Sequence, residues 1–102
     1  MTSIATTASS GLQAAQLRLH ASAHNIANMQ TPAFRRQQVE LQAAPEQGGV
    51  LAHSTQAAQP ADGVALEGEV VEQIAASYAF KANVLVLRTA QDMAGALLDV
   101  RA

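Results

Sequence analysis

The residues that could do chemistry begin with three histidines. His20 and His24 lie four apart, so a helix would place both rings on one face, and His53 could join them in a zinc site. No glutamate lies between the pair as the helical metalloprotease motif requires, and the chain has no cysteine. We therefore expect solvated histidines and no bound metal.

The serines and carboxylates lack the neighbours that catalysis requires. No serine lies in a Gly-x-Ser-x-Gly elbow, and no phosphate-binding loop is present. Asp92 and Asp99 lie seven apart, which is typical of a solvated helix face. The serines considered as nucleophiles are Ser9, Ser10, Ser22 and Ser54. The sequence therefore predicts a protein that is not an enzyme.

Composition limits the remaining possibilities. The 102 residues suffice for one small domain, and the 49% hydrophobic content is largely alanine, with 3% aromatic residues. Alanine favours helix but buries little area, so such helices need partners for most of their burial. The net charge of -2 argues against nucleic acid. We expect no integral membrane segment and, if the protein is exported, no cleaved signal peptide.

The first segment has the pattern of a long helix. Apolar and small residues recur at heptad spacing from Ala5 to Met29, which predicts one narrow seam with polar residues beside it. Gly11 costs about 1 kcal/mol within a helix and so indicates a close contact or a bend. The seam consists of two rows: Ala5, Leu12, Leu19, Ile26 and Ala8, Ala15, Ser22, Met29.

Turn signals follow. The helix should end between Asn28 and Thr31, because asparagine tolerates the cap conformation and Pro32 disfavours helix before it. The residues from Phe34 to Leu41 fit an extended segment or a short helix. Glycines and prolines then break up residues 42–68, which indicates a loop. Two apolar runs, Val50 to Ala52 and Val64 to Leu66, could pair as a marginal hairpin.

The last third has a second helical pattern, predicted from Glu69 to Val100. Acidic residues cluster near its start, where the helix dipole favours them. Val84 to Leu87 form a continuous apolar run, so in a two-helix unit some of them must face outward and mark an association surface. Its stripe comprises Val71, Ala75, Tyr78, Ala82, Leu85, Thr89, Met93, Ala96 and Val100, widened by Ile74, Val86 and Leu97.

These patterns predict a mainly α fold. Long N-terminal and C-terminal helices form a coiled-coil-like pair, joined by a turn and a loop-rich middle with at most a short hairpin. The expected parts are an N-terminal helix over 1–31, a turn and linker over 32–68, and a C-terminal helix over 69–102. The patterns leave the relative orientation of the helices open.

Both ends of the chain resemble the bacterial flagellar rod and hook protein family. The N-terminal likeness lies in Ser10-Gly11-Leu12-Gln13-Ala14-Ala15, His24-Asn25-Ile26-Ala27-Asn28 and Thr31-Pro32-Ala33-Phe34-Arg35-Arg36. The C-terminal likeness lies in Val70-Val71-Glu72, Ala79-Phe80-Lys81-Ala82-Asn83, Thr89-Ala90-Gln91-Asp92-Met93 and Leu97-Leu98. The short middle looks most similar to the proximal rod proteins.

Three positions depart from the family pattern. His24 replaces an asparagine, and Phe80 replaces a tyrosine. Ala33 replaces the glycine after Thr-Pro, where a type II turn needs positive φ. We therefore expect a type I turn or an extended path at Ala33, which would re-aim Phe34.

The resemblance implies a structural subunit of the basal-body rod that serves flagellum-dependent motility. It implies self-assembly through the terminal helices with other rod and hook proteins, and type III export without a cleaved signal peptide. It also implies that no cofactor is bound. Asn25, Asn28 and Asn83 fit either capping or buried hydrogen bonds that fix the register between subunits. The expected interface residues are Leu12, Ala15, Leu19, Asn25, Ile26, Asn28, Pro32, Phe34, Tyr78, Ala82, Asn83, Leu85, Leu87 and Met93.

Two other functions fit the same features. A non-polymerising helical adaptor, or a divergent rod-protein paralogue, would offer the apolar band to a single flagellar partner as a helix-in-groove contact. An interfacial amphipathic helix fits less well, because the second helix lacks the lysine-rich polar face that anionic lipid favours.

Overall fold

The computed structural model describes residues 4–44, 48–57 and 66–99. Two long helices frame a two-stranded antiparallel hairpin in the order α1 (Ile4–Ala27), β1 (Gln37–Ala43), β2 (Val50–Gln56) and α2 (Leu66–Asp99). The expectation of a mainly α chain with a short hairpin is confirmed. Pairing of the coiled-coil type stays a prediction.

Helix α1 ends where its sequence indicates. Asn28 follows the last helical residue, and its backbone N–H and its side-chain amide both donate to the His24 carbonyl, at 3.1 and 3.0 Å. The Thr31 hydroxyl donates to the Asn28 side-chain oxygen, at 3.3 Å. These bonds satisfy groups that a helix end leaves unpaired, so Asn28 caps α1.

The turn after α1 corrects one expectation. The Phe34 N–H donates to the Thr31 carbonyl at 3.2 Å, and Ala33 between them has a φ of 59°. The turn thus keeps the positive φ of a type II turn although alanine occupies the glycine position. An L-residue pays about 1–2 kcal/mol for this conformation. The capped helix end and the Phe34 ring, 5.5 Å from His24, hold the turn in place.

The hairpin joins segments other than those expected. Gln37–Ala43, within the segment whose structure the sequence left undecided, pairs in regular register with Val50–Gln56. The predicted pairing of Val50 to Ala52 with Val64 to Leu66 is wrong, because Val50 to Ala52 pair with β1 and Leu66 already begins α2. Residues 64 and 65 lie outside the described residues. The adjacent segments need only a short loop, whose closure costs little entropy. The middle is therefore partly a sheet.

Helix α2 begins at Leu66, three residues before its predicted start at Glu69, and Val100 lies outside the described residues. Glu67 and Glu69 lie in its first turn, where the helix dipole favours them. At 1.5 Å per residue, α2 is about 51 Å long against about 36 Å for α1. The two helices dominate an elongated molecule of 64 × 26 × 14 Å.

The helices run antiparallel, which settles the orientation that the sequence left open. Gly11 of α1 lies against Asn83 of α2, whereas Ser22, further along α1, bonds the Glu69 carbonyl near the start of α2. The strands contact α1, and no described residue of either strand makes a comparable contact with α2. Helix α1 therefore lies between two layers, which are also linked by an ion pair between Glu69 of α2 and Arg36 beside the hairpin.

Replacing Ala33 with glycine should stabilise the protein. Glycine removes the cost of positive φ but loses more backbone entropy on folding, so the expected gain is about 0.5–1 kcal/mol. The midpoint of thermal unfolding should rise by roughly 4 °C, followed by circular dichroism.

Ala23→Gly is the matched control, since Ala23 is an exposed residue within α1. Glycine there should lower stability by about 1 kcal/mol. Equal effects of the two substitutions would contradict the strain assigned to Ala33.

Candidate assembly surface and the polar contacts that position it

The buried face of α1 is made of small residues. Ala8, Ala15 and Ser22, spaced seven apart, are buried, as are Ala14 and Ala21. The Ala8–Ala15–Ser22 row of the predicted seam is therefore correct. The other row is not: Ala5 is exposed, and Leu12, Leu19 and Ile26 are only half-buried.

A row of glycine and polar residues takes the place of the leucine row. Gly11, Arg18 and Asn25, also seven apart, face α2 or the start of the hairpin. Arg18, expected off the seam, donates from Nε to the Glu72 carboxylate at 2.7 Å. Polar residues can occupy a helix seam when a partner opposite satisfies them. The predicted row of Leu12, Leu19 and Ile26 therefore lay one residue away from the observed row, because it was located from the spacing of apolar residues alone.

The close contact expected at Gly11 is confirmed. A Cβ at this position would lie 2.7 Å from Cγ of Asn83, closer than real Cβ atoms come to a neighbour. Asn83 is held in place by its own bond, from the side-chain amide to the Ala79 carbonyl at 2.8 Å. A side chain at position 11 would therefore displace the Asn83 side chain from the space that it fills.

Glu69 is a buried carboxylate at the junction of three elements. Its Oε1 accepts from Arg36 Nε at 2.6 Å and from the Asn25 side-chain amide at 3.2 Å. The Ser22 hydroxyl donates to its backbone carbonyl at 2.9 Å. Its Oε2 is buried without a hydrogen-bond partner among the described residues. One side chain therefore joins α1, the segment entering β1 and α2.

Asn25 also holds the first residue of β1. Its side-chain oxygen accepts from the Gln37 N–H at 2.7 Å, and its amide donates to the Gln37 carbonyl at 2.9 Å. A side-chain amide that bonds both groups of one residue imitates a neighbouring strand. In this structure Asn25 works within the chain and Asn28 works as a helix cap. The hypothesis that they fix the register between subunits stays untested.

Arg35 and Arg36, the two basic residues after the turn, contact different partners. Arg36 reaches the buried Glu69, whereas exposed Arg35 donates to the Gln56 side-chain oxygen at 2.9 Å. Ser10 fixes the other end of the hairpin, because its hydroxyl accepts from the Val50 N–H at 3.0 Å. Sequence reasoning missed the roles of Glu69 and Ser10. The seven-residue spacing of Gly11, Arg18 and Asn25 was the signal that could have found the polar contacts.

Helix α2 separates small and large residues onto opposite sides. Ala76, which faces α1, is 0% exposed, whereas Tyr78, two residues later, is 68% exposed. We call the exposed side the outer face of α2; its large residues are Val71, Ile74, Tyr78, Leu85, Val86 and Met93. Exposed Ala75 and Ala82 lie between them. This is the stripe predicted from the sequence, and in this structure none of the described residues covers it.

The predicted interface residues fall into two groups. Those that lie exposed are Pro32, Tyr78, Ala82, Leu85 and Met93. Those that are buried or half-buried are Leu12, Ala15, Leu19, Asn25, Ile26, Asn28, Phe34, Asn83 and Leu87. Leu87 follows Asn83 by one helical turn and so lies on the inner side of α2. The structure thus brings Tyr78, Ala82, Leu85 and Met93 together on one surface.

An apolar groove adjoins the outer face near the start of α1. It measures about 270 Å³ and lies between Ile4 and the segment of α2 from Leu85 to Met93. Leu97 and Leu98, further along α2, are also exposed. The apolar surface therefore continues to the last described turns of α2.

The length and composition of α2 bear on the expectation that the chain has no integral membrane segment. Leu66–Leu98 is long and apolar enough to cross a membrane by these two measures, with a mean hydropathy of 1.2 over its most apolar stretch. These measures alone do not make the helix a membrane span, so the expectation stays a prediction. Glu72, Lys81 and Arg88 lie within the helix, and a charge at the bilayer centre costs about 2.5–3.5 kcal/mol.

The histidines do not converge. His24 contacts the Phe34 ring and the Asn28 side chain, while His53 lies on β2. Among the residues that the structure describes, no three metal-ligating side chains form a group that could hold an ion.

Comparison with known families identifies the N-terminal segment. Residues 6–35, which comprise nearly all of α1 and the turn after it, match the family described as flagella basal body rod protein. No curated protein matches the chain. The match confirms the resemblance to the rod-protein family over residues 6–35, and the C-terminal part of the resemblance lies outside the matched residues. A proximal position in the rod stays a prediction.

Asn25→Ala should destabilise the fold. The substitution leaves Gln37 without its partners and removes one donor from buried Glu69. Each buried group left unsatisfied costs about 1–3 kcal/mol, so we expect a loss of roughly 2–4 kcal/mol in denaturant unfolding.

Asn28→Ala is the control, because it removes an asparagine of the same block whose bonds are exposed. It should cost about 1 kcal/mol or less. Equal losses of stability in the two variants would show that the buried contacts of Asn25 stabilise the fold no more than the exposed contacts of Asn28 do.

Proposed function

We propose that this chain, whose N-terminal segment belongs to the flagella basal body rod protein family, is a rod subunit that assembles through its helices for flagellum-dependent motility. The observation that carries the proposal is the outer face of α2. Tyr78, Leu85 and Met93 are more than half exposed on one side of a long helix. A soluble monomer rarely exposes a continuous apolar stripe of this length.

The pattern of the face favours a helix as its partner. Its large side chains are three, four or seven residues apart, except for the adjacent Leu85 and Val86, and exposed Ala75 and Ala82 lie between them. Alternating large and small residues form ridges and grooves that a second helix can enter, at separations of about 8–10 Å. The face therefore fits a helix of another copy or of another rod or hook protein.

The inner packing of the subunit supports the same conclusion. The buried apolar residues of the described part of the chain are all alanines. Full burial of a leucine-sized side chain contributes about 1.5–3 kcal/mol, and alanine contributes far less. Most of the large apolar side chains thus gain burial only when another molecule covers them.

We extend the proposal to location and export on the strength of the family resemblance. The subunit would reside in the periplasm-spanning rod, contact other rod and hook proteins, and leave the cell through the flagellar type III apparatus without a cleaved signal peptide. An adaptor that binds one flagellar partner is the alternative. It would form a complex of fixed size, whereas a rod subunit would add copies without such a limit.

Leu85→Asp should prevent assembly while the subunit still folds. Leu85 is 64% exposed, so a charge costs little in the isolated chain but is buried unpaired when a partner covers it. The critical concentration for polymer formation should rise at least tenfold, corresponding to about 1.4 kcal/mol or more. Sedimentation and electron microscopy against protein concentration measure this.

Gln91→Asp is the matched control, since Gln91 is exposed on the same helix but lies off the outer face. It should assemble like the parent chain, and both variants should keep the parent's helicity by circular dichroism. Leu87 is unsuitable for a test of the outer face, because it is half-buried on the inner side of α2. If Leu85→Asp polymerises at the parent's concentration, the outer face is not the interface.

Deletion of the gene tests the proposal in the cell. We expect loss of motility and basal bodies without a complete rod in electron micrographs. Restoring the parent sequence should restore both, and Leu85→Asp should not. Normal motility with intact rods in the deletion strain would contradict a rod subunit and favour the adaptor.

A further inference from the structure

The outer edges of the hairpin expose backbone groups whose positions follow from its register. The Ala44 N–H bonds the Gly49 carbonyl, and the Ala57 N–H bonds the Arg36 carbonyl. Hydrogen-bonded and non-hydrogen-bonded pairs alternate along an antiparallel ladder. The register between these two hydrogen-bonded pairs is regular, so the pairs that begin with Gln37–Gln56 and end with Ala43–Val50 alternate between the two kinds. The N–H and C=O groups of Gln37 and every second residue after it on β1, and of Val50 and every second residue after it on β2, therefore point away from the hairpin.

Side chains of α1 occupy one end of each edge. Asn25 bonds both outward groups of Gln37 on β1, and Ser10 accepts from the outward N–H of Val50 on β2. These residues lie at opposite ends of the hairpin, so α1 crosses it diagonally. Each edge is therefore closed at one end, and no described residue outside the hairpin bonds to the backbone groups of the rest of it.

The open stretches are of equal length. The residues with unpaired outward groups are Val39, Leu41 and Ala43 on β1 and Ala52, Ser54 and Gln56 on β2. No described residue outside the hairpin bonds to them. Leu41 is 50% exposed, and Ala43, Ser54 and Gln56 are exposed as well.

These edges lack the features that normally prevent strand addition. Proteins protect free edges with lysine, proline, bulges or covering segments. Neither strand contains lysine or proline, the pairing has no bulge, and Glu40 is the one formal charge in the two strands. Open edges of this kind accept another strand by main-chain hydrogen bonding.

We propose that the β1 edge of one copy pairs with the β2 edge of the next copy, so that the hairpins join into a continuous antiparallel sheet. Copies placed side by side in one orientation bring these edges together in the antiparallel sense. The equal open stretches set the register, with Val39, Leu41 and Ala43 opposite Gln56, Ser54 and Ala52 of the neighbour. The inference rests on the proposed function, because it requires copies that lie side by side.

Pairing of two β1 edges is the principal competing arrangement. It would place Leu41 against Leu41 of a second copy and close a dimer. It would also set the two Glu40 carboxylates diagonally across the new strand pair, where like charges repel. The β2 edges would remain open. The head-to-tail arrangement avoids the repulsion, uses both edges and can continue from copy to copy, as heterologous contacts do.

Disulfide cross-linking tests the arrangement directly, because the chain has no cysteine of its own. Leu41→Cys and Ser54→Cys are made separately, assembled as a mixture and oxidised. The proposed register brings these positions within the Cα separation of about 4.4–6.8 Å that a disulfide requires. We expect mixed 41–54 dimers in the mixture and none from either variant alone. Dimers of Leu41→Cys alone, or no dimers in assembled material, would overturn the proposal.

A second experiment removes one hydrogen bond from the edge. Leu41→Pro deletes an outward N–H but no bond within the hairpin, which an edge strand tolerates. Leu41→Thr, its control, loses the apolar side chain and keeps the N–H. We expect the critical concentration to rise about tenfold or more for proline and to change less than about threefold for threonine. Equal assembly of the two variants would overturn the proposal.

The proposals for the two interfaces can be refuted independently. Leu85→Asp addresses the outer face of α2, and the Leu41 variants address the sheet. If polymers form normally without 41–54 cross-links, the sheet is excluded while the rod subunit stands. If no polymer forms at any concentration with the parent chain, the proposed function fails first, and the sheet fails with it.

Discussion

The buried carboxylate of Glu69 is the contact on which the shape of the subunit depends. Arg36 and Asn25 bond the same oxygen, so the position of β1 relative to α1 and the position of α2 relative to both are fixed at one point. A buried charge is stable only when it is paired and hydrogen-bonded. The arrangement therefore penalises any shift of the helices along each other, which a core of alanines would resist only weakly.

The family signature has a physical explanation inside the chain. Ser10 fixes the tip of the hairpin, Gly11 admits Asn83, Asn25 fixes the start of β1, and Asn28 caps α1. These contacts set the form of the chain, and the large exposed apolar residues of α2 lie outside the segment that matches the family.

Much of the fold could be predicted from the sequence. Local signals placed both helices and the end of α1 at Asn28, because heptad spacing and capping residues act over short distances. The partner of Val50 to Ala52 could not be predicted, because the sequence pattern left the structure of the adjacent segment Gln37–Ala43 undecided. The positive φ of Ala33 was missed, because the residue type alone disfavours it and the helix cap and the Phe34 ring hold it in place. The exposed stripe from Tyr78 to Met93 was found because large apolar residues recur at helical spacing. The Glu69 contacts were missed because the seam was located from apolar residues alone, although Gly11, Arg18 and Asn25 repeat every seven residues on the facing side of α1.

Two sides of α1 explain how one small chain could contribute to a tube. Helix α2 packs along Gly11, Arg18 and Ser22, whereas the hairpin is attached at Ser10 and Asn25. The ion pair between Glu69 and Arg36 links the two layers directly. A tube requires contacts in two directions, because a single repeated contact produces only a ring or a thread. A helical face on one layer and open strand edges on the other supply two separate directions. Glu69 matters here again, since it fixes the angle between the two layers and so the geometry in which both contacts could form.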